Sequence, residues 1–410
     1  MTPRPLWHLA RVRRSEDREF LQPGLCDTLL INANQLENNA NGTAAHLEGT
    51  RLPYLVDPML WRLQFPEWWR TEKGEVKRNY ARLAARYADG TNVRMAEGPL
   101  LNCVSDDAER RRIVQNIVSY QRGRLCEQVD LLHPEGFRPR HTLAPALVAF
   151  SEEEDRLNRA LAEASVEAAG EAVVVTFVLP LDRIEVPGEV DRALRAVATD
   201  GVAAYFVWTP GVTEELLLRD PKVFVGLLSI IHALAQSGVP VVHVQGSYVT
   251  EALHEIGVAG VVHHVGWVDK GEPVGQLRGA IRSCQTYVPG LRRCARFHDA
   301  AKLGRPLDEQ HYVERYCDCR FCTGVFQHKL HPLDLLLEDQ AVGGAQRRRT
   351  PTSRAVAANA WHYLHARRQE VEAFGTEPAP EVLQRDIARQ IKLIGEAPAL
   401  EGLAARLHSA

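Results

Sequence analysis

No apolar run in the 410-residue chain approaches the roughly 18 residues that a membrane-spanning helix requires, which excludes a helical transmembrane segment. No G-x-G-x-x-G or G-x-x-x-x-G-K-[ST] follows an apolar stretch, so the dinucleotide-binding and P-loop folds have no support. Neither sign of charge dominates. The 49 Lys and Arg face 52 Asp and Glu for a net charge of −3, so any surface for nucleic acid has to be a local basic patch. Thr2 to Arg14 is polar and basic with no apolar core of its own, unlike a secretory signal. A reducing cytoplasm is therefore expected, where clustered cysteines mean metal rather than disulfides. There is no internal repeat beyond an alternation of strands and helices, and no low-complexity tail. The remaining composition, 45% hydrophobic and 25% charged, is that of an ordinary globular enzyme.

Against this plain background one stretch stands out: Tyr316-Cys317-Asp318-Cys319-Arg320-Phe321-Cys322. C-x-C-x-x-C lets three thiolates converge on one tetrahedral ion, and Zn²⁺ then needs one more nitrogen or sulfur to close a structural site. The other five cysteines are scattered. His311, His328, His331, His362 and His365 could each supply the fourth ligand. A histidine on a helix is best fixed by packing, with its second ring nitrogen free for a supporting contact, which favours His362 over its neighbour His365.

Along the chain, Leu29–Asn32 and Leu52–Val56 read as buried strands, with loop chemistry over 37–42 between them. Asp57 ends the second strand ahead of Pro58, where barrel enzymes place catalytic acids; capping of the next turn is the plainer alternative. Helices are expected from Ser105 and over Ser151–Ala169, the Arg110-Arg111-Arg112 run being a solvated face. From Val173 to Val262, short β-branched apolar runs alternate with helical stretches of about ten to fifteen residues, the pattern of right-handed βαβ units with strands covered on both faces. Six or more such strands predict an α/β fold, a (β/α)8 TIM-type barrel over residues 1–283. A metal-bearing insertion with a basic loop would occupy 284–375, and a helical tail 376–410. Arg292, Arg293, Arg347, Arg348 and Arg349 form basic clusters on either side of the cysteines, suited to phosphates.

Cys-x-Cys-x-x-Cys followed by a helical His362-Tyr363-Leu364 resembles the zinc signature of the tRNA-guanine transglycosylases, which sits near the C-terminal end of a (β/α)8 barrel. Leu30-Ile31-Asn32 through Leu36 is similar to that family's apolar strand end, matching at Asn32 and Leu36. Asp57 falls where the family carries its barrel-mouth aspartate. The segments that follow depart from the family: Pro58-Met59-Leu60 replaces its Ser-Gly-rich element, and no copy of its nucleophile segment is found. The chain thus resembles a divergent branch, akin to 7-deazaguanine DNA transglycosylases. The resemblance implies a pentosyltransferase that exchanges guanine in DNA or tRNA for a 7-deazaguanine base, with structural Zn²⁺ and a protein partner from a modification system. Asp57 and Asp269 are then the candidate catalytic carboxylates, and Asn32, Asp182, His263 and His264 the candidate base-binding residues. Two other readings fit the residues: an inactive zinc-stabilised barrel that binds nucleic acid or a catalytic partner, and a barrel enzyme acting on a small molecule.

Overall fold

A computed structural model describes residues 6–12, 15–65, 69–71, 73–92, 104–127, 138–264, 285–341 and 349–409. Seven parallel strands form one sheet: β1 (Trp7–Val12), β2 (Thr28–Asn32), β3 (Tyr54–Asp57), β4 (Val173–Val178), β5 (Val202–Trp208), β6 (Val241–His243) and β7 (Val258–His264), in the spatial order β3-β2-β1-β7-β6-β5-β4. The two edges do not stay open. Arg140 N–H donates to Tyr54 O at 2.9 Å on the β3 side, and Val174 N–H donates to Thr142 O at 2.9 Å on the β4 side. Leu143 also bridges Val174 in parallel register. The extended segment 140–149 is thus the eighth stave, fourth in chain order, and the sheet closes into a (β/α)8 barrel with no free edge.

The alternation of side chains along each stave separates two cores. Leu9, Leu30, Leu55, Leu143, Val174, Ala204, Val242 and Val262 point inward and fill the barrel. The opposite residues, such as Val175, Phe177, Tyr205, Val207, Val241 and Val261, pack outward under the helical ring. β1 is the strand that sequence patterning passes over. His8 on its outer face and Arg11 on its inner face break up the apolar run, yet β1 pairs with both β2 and β7 in the centre of the sheet. The 37–42 stretch read as a loop instead lies inside the helix Ala33–Thr50. The loop signal survives there as a local break at Asn39 (φ −155°, ψ 65°), whose side-chain oxygen accepts the Gly42 N–H at 2.9 Å. The cap signals elsewhere act as expected: Asp106 and Ser151 accept N–H groups in the first turns of Asp107–Gly123 and Glu152–Ala169.

After β7 come the antiparallel pair β8 (Gln285–Val288) and β9 (Arg293–Arg296), a set of short helices carrying the cysteines, and the helix Ser353–Thr376. That long helix returns to the barrel wall, where Arg367 reaches His263 of β7, and Arg368 pairs at 2.8 Å with Asp27, just before β2. The cysteine-bearing segment is therefore an insertion between the last barrel strand and the helix that covers it. Two further helices, Ala379–Ile394 and Pro398–Ser409, pack back on this assembly; Arg389 pairs with Asp318 at 3.1 Å and Arg406 donates to Leu217 O at 2.7 Å. Among the described residues, no helix is long and apolar enough to cross a membrane.

Candidate metal centre and barrel mouth

Cys317, Cys319, Cys322 and His362 offer ligand atoms that all lie within 4.8 Å of one another, and all four residues are fully buried. Local folding explains the convergence. Cys319 caps the helix Arg320–Gln327, its Sγ accepting the Cys322 N–H at 3.4 Å, and Cys319 N–H in turn points at Cys317 Sγ at 3.5 Å. His362 approaches from the long helix with Nδ1 3.7, 3.4 and 3.3 Å from the sulfurs of Cys317, Cys319 and Cys322. Its Nε2 donates to Tyr287 O at 2.8 Å, which fixes the ring and the tautomer that leaves Nδ1 as the ligand.

The acid–base balance of the thiols fits a cation. Burial raises all three, but donation from the other two thiols and from the Cys322 and Phe321 N–H groups brings Cys319 well below its ordinary value, while Cys317 and Cys322 are pushed up. A metal ion at this point would favour the thiolate form of all three. The other candidate histidines stay away from the cluster. His365 stacks on Trp361 with ring centroids 6.1 Å apart, His331 packs edge-on against Tyr312 and Phe326, His311 binds Asp308, and His328 is exposed.

Gly290 lets the β8–β9 turn close on this knot. A Cβ there would lie 2.3 Å from Arg315 O and 3.2 Å from Tyr316 O, backbone atoms that cannot swing aside. Gly290→Ala is expected to destabilise the protein by about 1–3 kcal/mol, the usual cost of overpacking, and thermal unfolding measures it.

At the C-terminal ends of the barrel strands lies a small cavity of about 40 Å³ lined by Arg11, Asp57, Pro58, Trp61, Thr176, Phe206, Trp208, Gln245 and His264, among others. Arg11 sits at its centre. Its Nη1 donates to Asp57 Oδ2 at 2.9 Å and to Asn32 Oδ1 at 3.2 Å, while Asp57 Oδ1 accepts the Met59 N–H at 2.8 Å. Met59 holds a left-handed backbone (φ 57°), strained for a non-glycine residue, in order to turn back onto Asp57. Trp61 and Trp208 pack on each other above this polar floor, with ring centroids 4.6 Å apart. Among the described residues, Arg11 Nε and Gln245 Oε1 are buried without a hydrogen-bond partner.

Of the residues expected from sequence, the structure gathers Asn32, Asp57 and His264 at this mouth. His263 is turned the other way by strand alternation. It lies on the outer wall, fully buried, with Nε2 accepting from Arg367 Nε at 3.1 Å and lying 3.0 Å from Glu251 Oε1. Asp182 is exposed on the short helix Leu181–Ile184 and does not line the cavity. Arg292 is not a phosphate contact: its side chain is 10% exposed and pairs with both Glu370 and Asp386. Arg293 is exposed on β9. Arg349 lies on a two-stranded ribbon, Asp339–Ala341 with Arg349–Pro351. Asp269, Arg347 and Arg348 fall outside the described residues.

Sequence reasoning missed Arg11, Gln245 and Trp208 at the mouth, together with the buried group Glu251, Tyr287, Arg367 and Glu370 behind it. An arginine on the otherwise apolar inward-facing side of β1, with Trp7 and Leu9, was the one available signal for Arg11. No family model matches the chain, and no curated protein does. Among solved structures, it is similar to the catalytic domain of the GH26 endo-beta-1,4-mannanase of Bacillus sp. JAMB-750, at 11% identity over 67% of this chain and 82% of that one, with a TM-score of 0.36. It is also similar to an HpcH/Hpal aldolase/citrate lyase family protein from Burkholderia cenocepacia J2315, at 17% identity over 64% and 88% of the two chains, with a TM-score of 0.29.

Proposed function

We propose that the protein is a base-exchange transglycosylase that replaces guanine in DNA or tRNA with a 7-deazaguanine. The observation that carries this reading is the placement of the Cys₃His cluster. It lies between the last strand of a closed barrel and the helix that covers that strand, with a carboxylate at the mouth of the same barrel. The ion is zinc, since three thiolates and an imidazole suit a borderline-soft tetrahedral ion. With four protein ligands its role is structural.

In this reading the target guanosine leaves its stack and enters the mouth. An Asp57 oxygen attacks the sugar C1′, and the C1′–N9 bond breaks with its electron pair going to the guanine, which takes a proton from water and leaves as the neutral base. N9 of the incoming 7-deazaguanine then displaces the carboxylate from C1′ and gives its N9 proton back to water, so that Asp57 is regenerated as the carboxylate. Two displacements give retention, as in retaining glycosidases. Trp61 and Trp208 supply flat apolar walls, and Asn32, Gln245 and His264 supply polar contacts to the base. The cavity, about 40 Å³, is far below the roughly 300–1,000 Å³ of a ligand pocket, so in this reading the two tryptophans separate and Arg11 releases Asp57 as the base enters.

The test is incorporation of a labelled 7-deazaguanine into guanine-containing DNA or tRNA. Asp57→Asn is expected to lower the rate by about two to four orders of magnitude. Incorporation at the wild-type rate in that variant removes Asp57 from the chemistry and leaves Asp269 as the candidate. A second reading, a non-catalytic barrel that binds nucleic acid or a catalytic partner, is favoured by one observation. Both Asp57 oxygens are already engaged, and no other carboxylate lines the cavity among the described residues. Binding of nucleic acid with no incorporation by the wild-type protein would establish it.

A further inference from the structure

We infer that the helix Arg78–Tyr87 and the turn before it form the surface that holds a nucleic-acid backbone beside the barrel mouth. The inference takes only its class of partner from the reading above. Residues 70–86 carry six Lys and Arg against two Glu, a local net charge of +4 in a chain whose net charge is −3. The fold sorts these charges onto one side. Tyr80, Leu83, Ala84 and Tyr87 are buried, while Lys73, Lys77, Arg78 and Arg82 are exposed. Among the described residues no ion pair engages Arg78 or Arg82; Arg86, one turn further on, is held by Glu37 at 3.1 Å.

The buried face ties this basic face to the mouth. Tyr87 Oη donates to Pro58 O at 3.0 Å, and Pro58 lines the cavity. Arg62 donates to Tyr80 Oη at 2.8 Å and lies over the ring of Trp61, which also lines the cavity, 5.4 Å from its centroid. Arg78 and Arg82 are one helical turn apart on a shared face, separated by about 6 Å of axial rise. A stacked strand advances about 3.4 Å per nucleotide, so these side chains can meet phosphates about two nucleotides apart on a strand whose flipped base enters between Trp61 and Trp208. Exposed cations beside an aromatic-walled pocket are what a sequence-tolerant grip on a single strand requires.

The experiment is fluorescence anisotropy of a labelled, guanine-containing 20-nucleotide single-stranded DNA across a salt series, with the full-length protein and the triple variant Lys73→Gln, Arg78→Gln, Arg82→Gln. The three residues are exposed, so the variant should melt with the wild type. Affinity at 50 mM salt should fall about tenfold or more, and the slope of log K against log salt should flatten by about 2, at ~0.7 for each single-strand phosphate that is no longer neutralised. An unchanged affinity and slope would overturn the assignment. So would wild-type binding to phosphatidylserine vesicles that is tighter than to the oligonucleotide and is the only binding the variant loses. The two proposals fail separately. Binding through this helix without base exchange sinks the transglycosylase reading and leaves the surface standing. Exchange in the triple variant with an unchanged KM for the oligonucleotide does the reverse.

Discussion

Cys319→Ser is expected to abolish metal binding and to destabilise the whole C-terminal half of the protein. Cys319 is fully buried, caps the helix Arg320–Gln327, and lies between the other two thiols in the chain. A serine hydroxyl is shorter, harder and not ionised at neutral pH, so it neither replaces the thiolate nor reaches the same point. Three ligands would remain in a dry site with no ion to draw them together. The consequences spread because His362 links the cluster to β8 through Tyr287 O and belongs to the helix that covers β7. A metal-to-protein ratio near one by elemental analysis should fall close to zero. The loss in unfolding free energy should be about 3 kcal/mol or more, in the tail of single-substitution effects that includes lost metal sites. His365→Ala and Cys294→Ser should leave the metal content unchanged, since neither residue belongs to the cluster. Stoichiometric metal and full stability in Cys319→Ser would remove the metal centre altogether.

The sequence showed this cluster well and the mouth poorly, for a physical reason. Metal ligands obey a spacing rule that survives in one dimension, and a histidine locked on a helix is a better fourth ligand than one in a turn. Both expectations match what the chain does with Cys317, Cys319, Cys322 and His362. The strands from Val173 onward were legible because parallel strands covered on both faces become continuous apolar runs. β1 and the 140–149 stave were not, because each carries polar residues at positions that only the closed barrel makes sense of. Arg11 is buried only because Asn32 and Asp57 lie on β2 and β3, the next two strands of the sheet, 21 and 46 residues away in the chain. Parity also decides between adjacent residues: His264 lines the mouth and His263 the outer wall, a distinction that requires the strand's register. The arginines show the opposite error. Arg292 looks like part of a surface cluster in sequence, and the fold uses it as a buried counter-ion.

That buried charge leads to the second large effect. Arg367, 1% exposed, is the centre of a network behind the barrel wall. Its guanidinium donates to Tyr287 Oη at 3.0 Å, to Glu370 Oε2 at 2.6 Å and to His263 Nε2, and it lies 3.0 Å from Glu251 Oε1. Arg292 closes the other side, pairing with Glu370 at 2.5 Å and with Asp386, which also accepts from Tyr248 Oη. Burial pushes Glu251 well above the ordinary carboxylate range, against the pull of the neighbouring Arg367. Arg367 and Arg292 are the two cations that face the carboxylates Glu370 and Asp386. Arg367→Met retains the apolar stem but leaves this dry site with an excess negative charge, and should cost about 3–5 kcal/mol, as breaking a buried ion pair from one side does. Adding Glu370→Gln removes one of the carboxylate charges that Arg367 faces. The double variant should therefore be less destabilised than the sum of the two single variants, with a coupling of about 0.5–3 kcal/mol in a urea double-mutant cycle. Because Arg367 is not a ligand, the metal content of Arg367→Met should stay stoichiometric, unlike that of Cys319→Ser. A cost below about 1 kcal/mol for the single variant, or strict additivity in the double, would show that the barrel wall and the cysteine-bearing insertion are joined by packing and that these charges do not act as a unit.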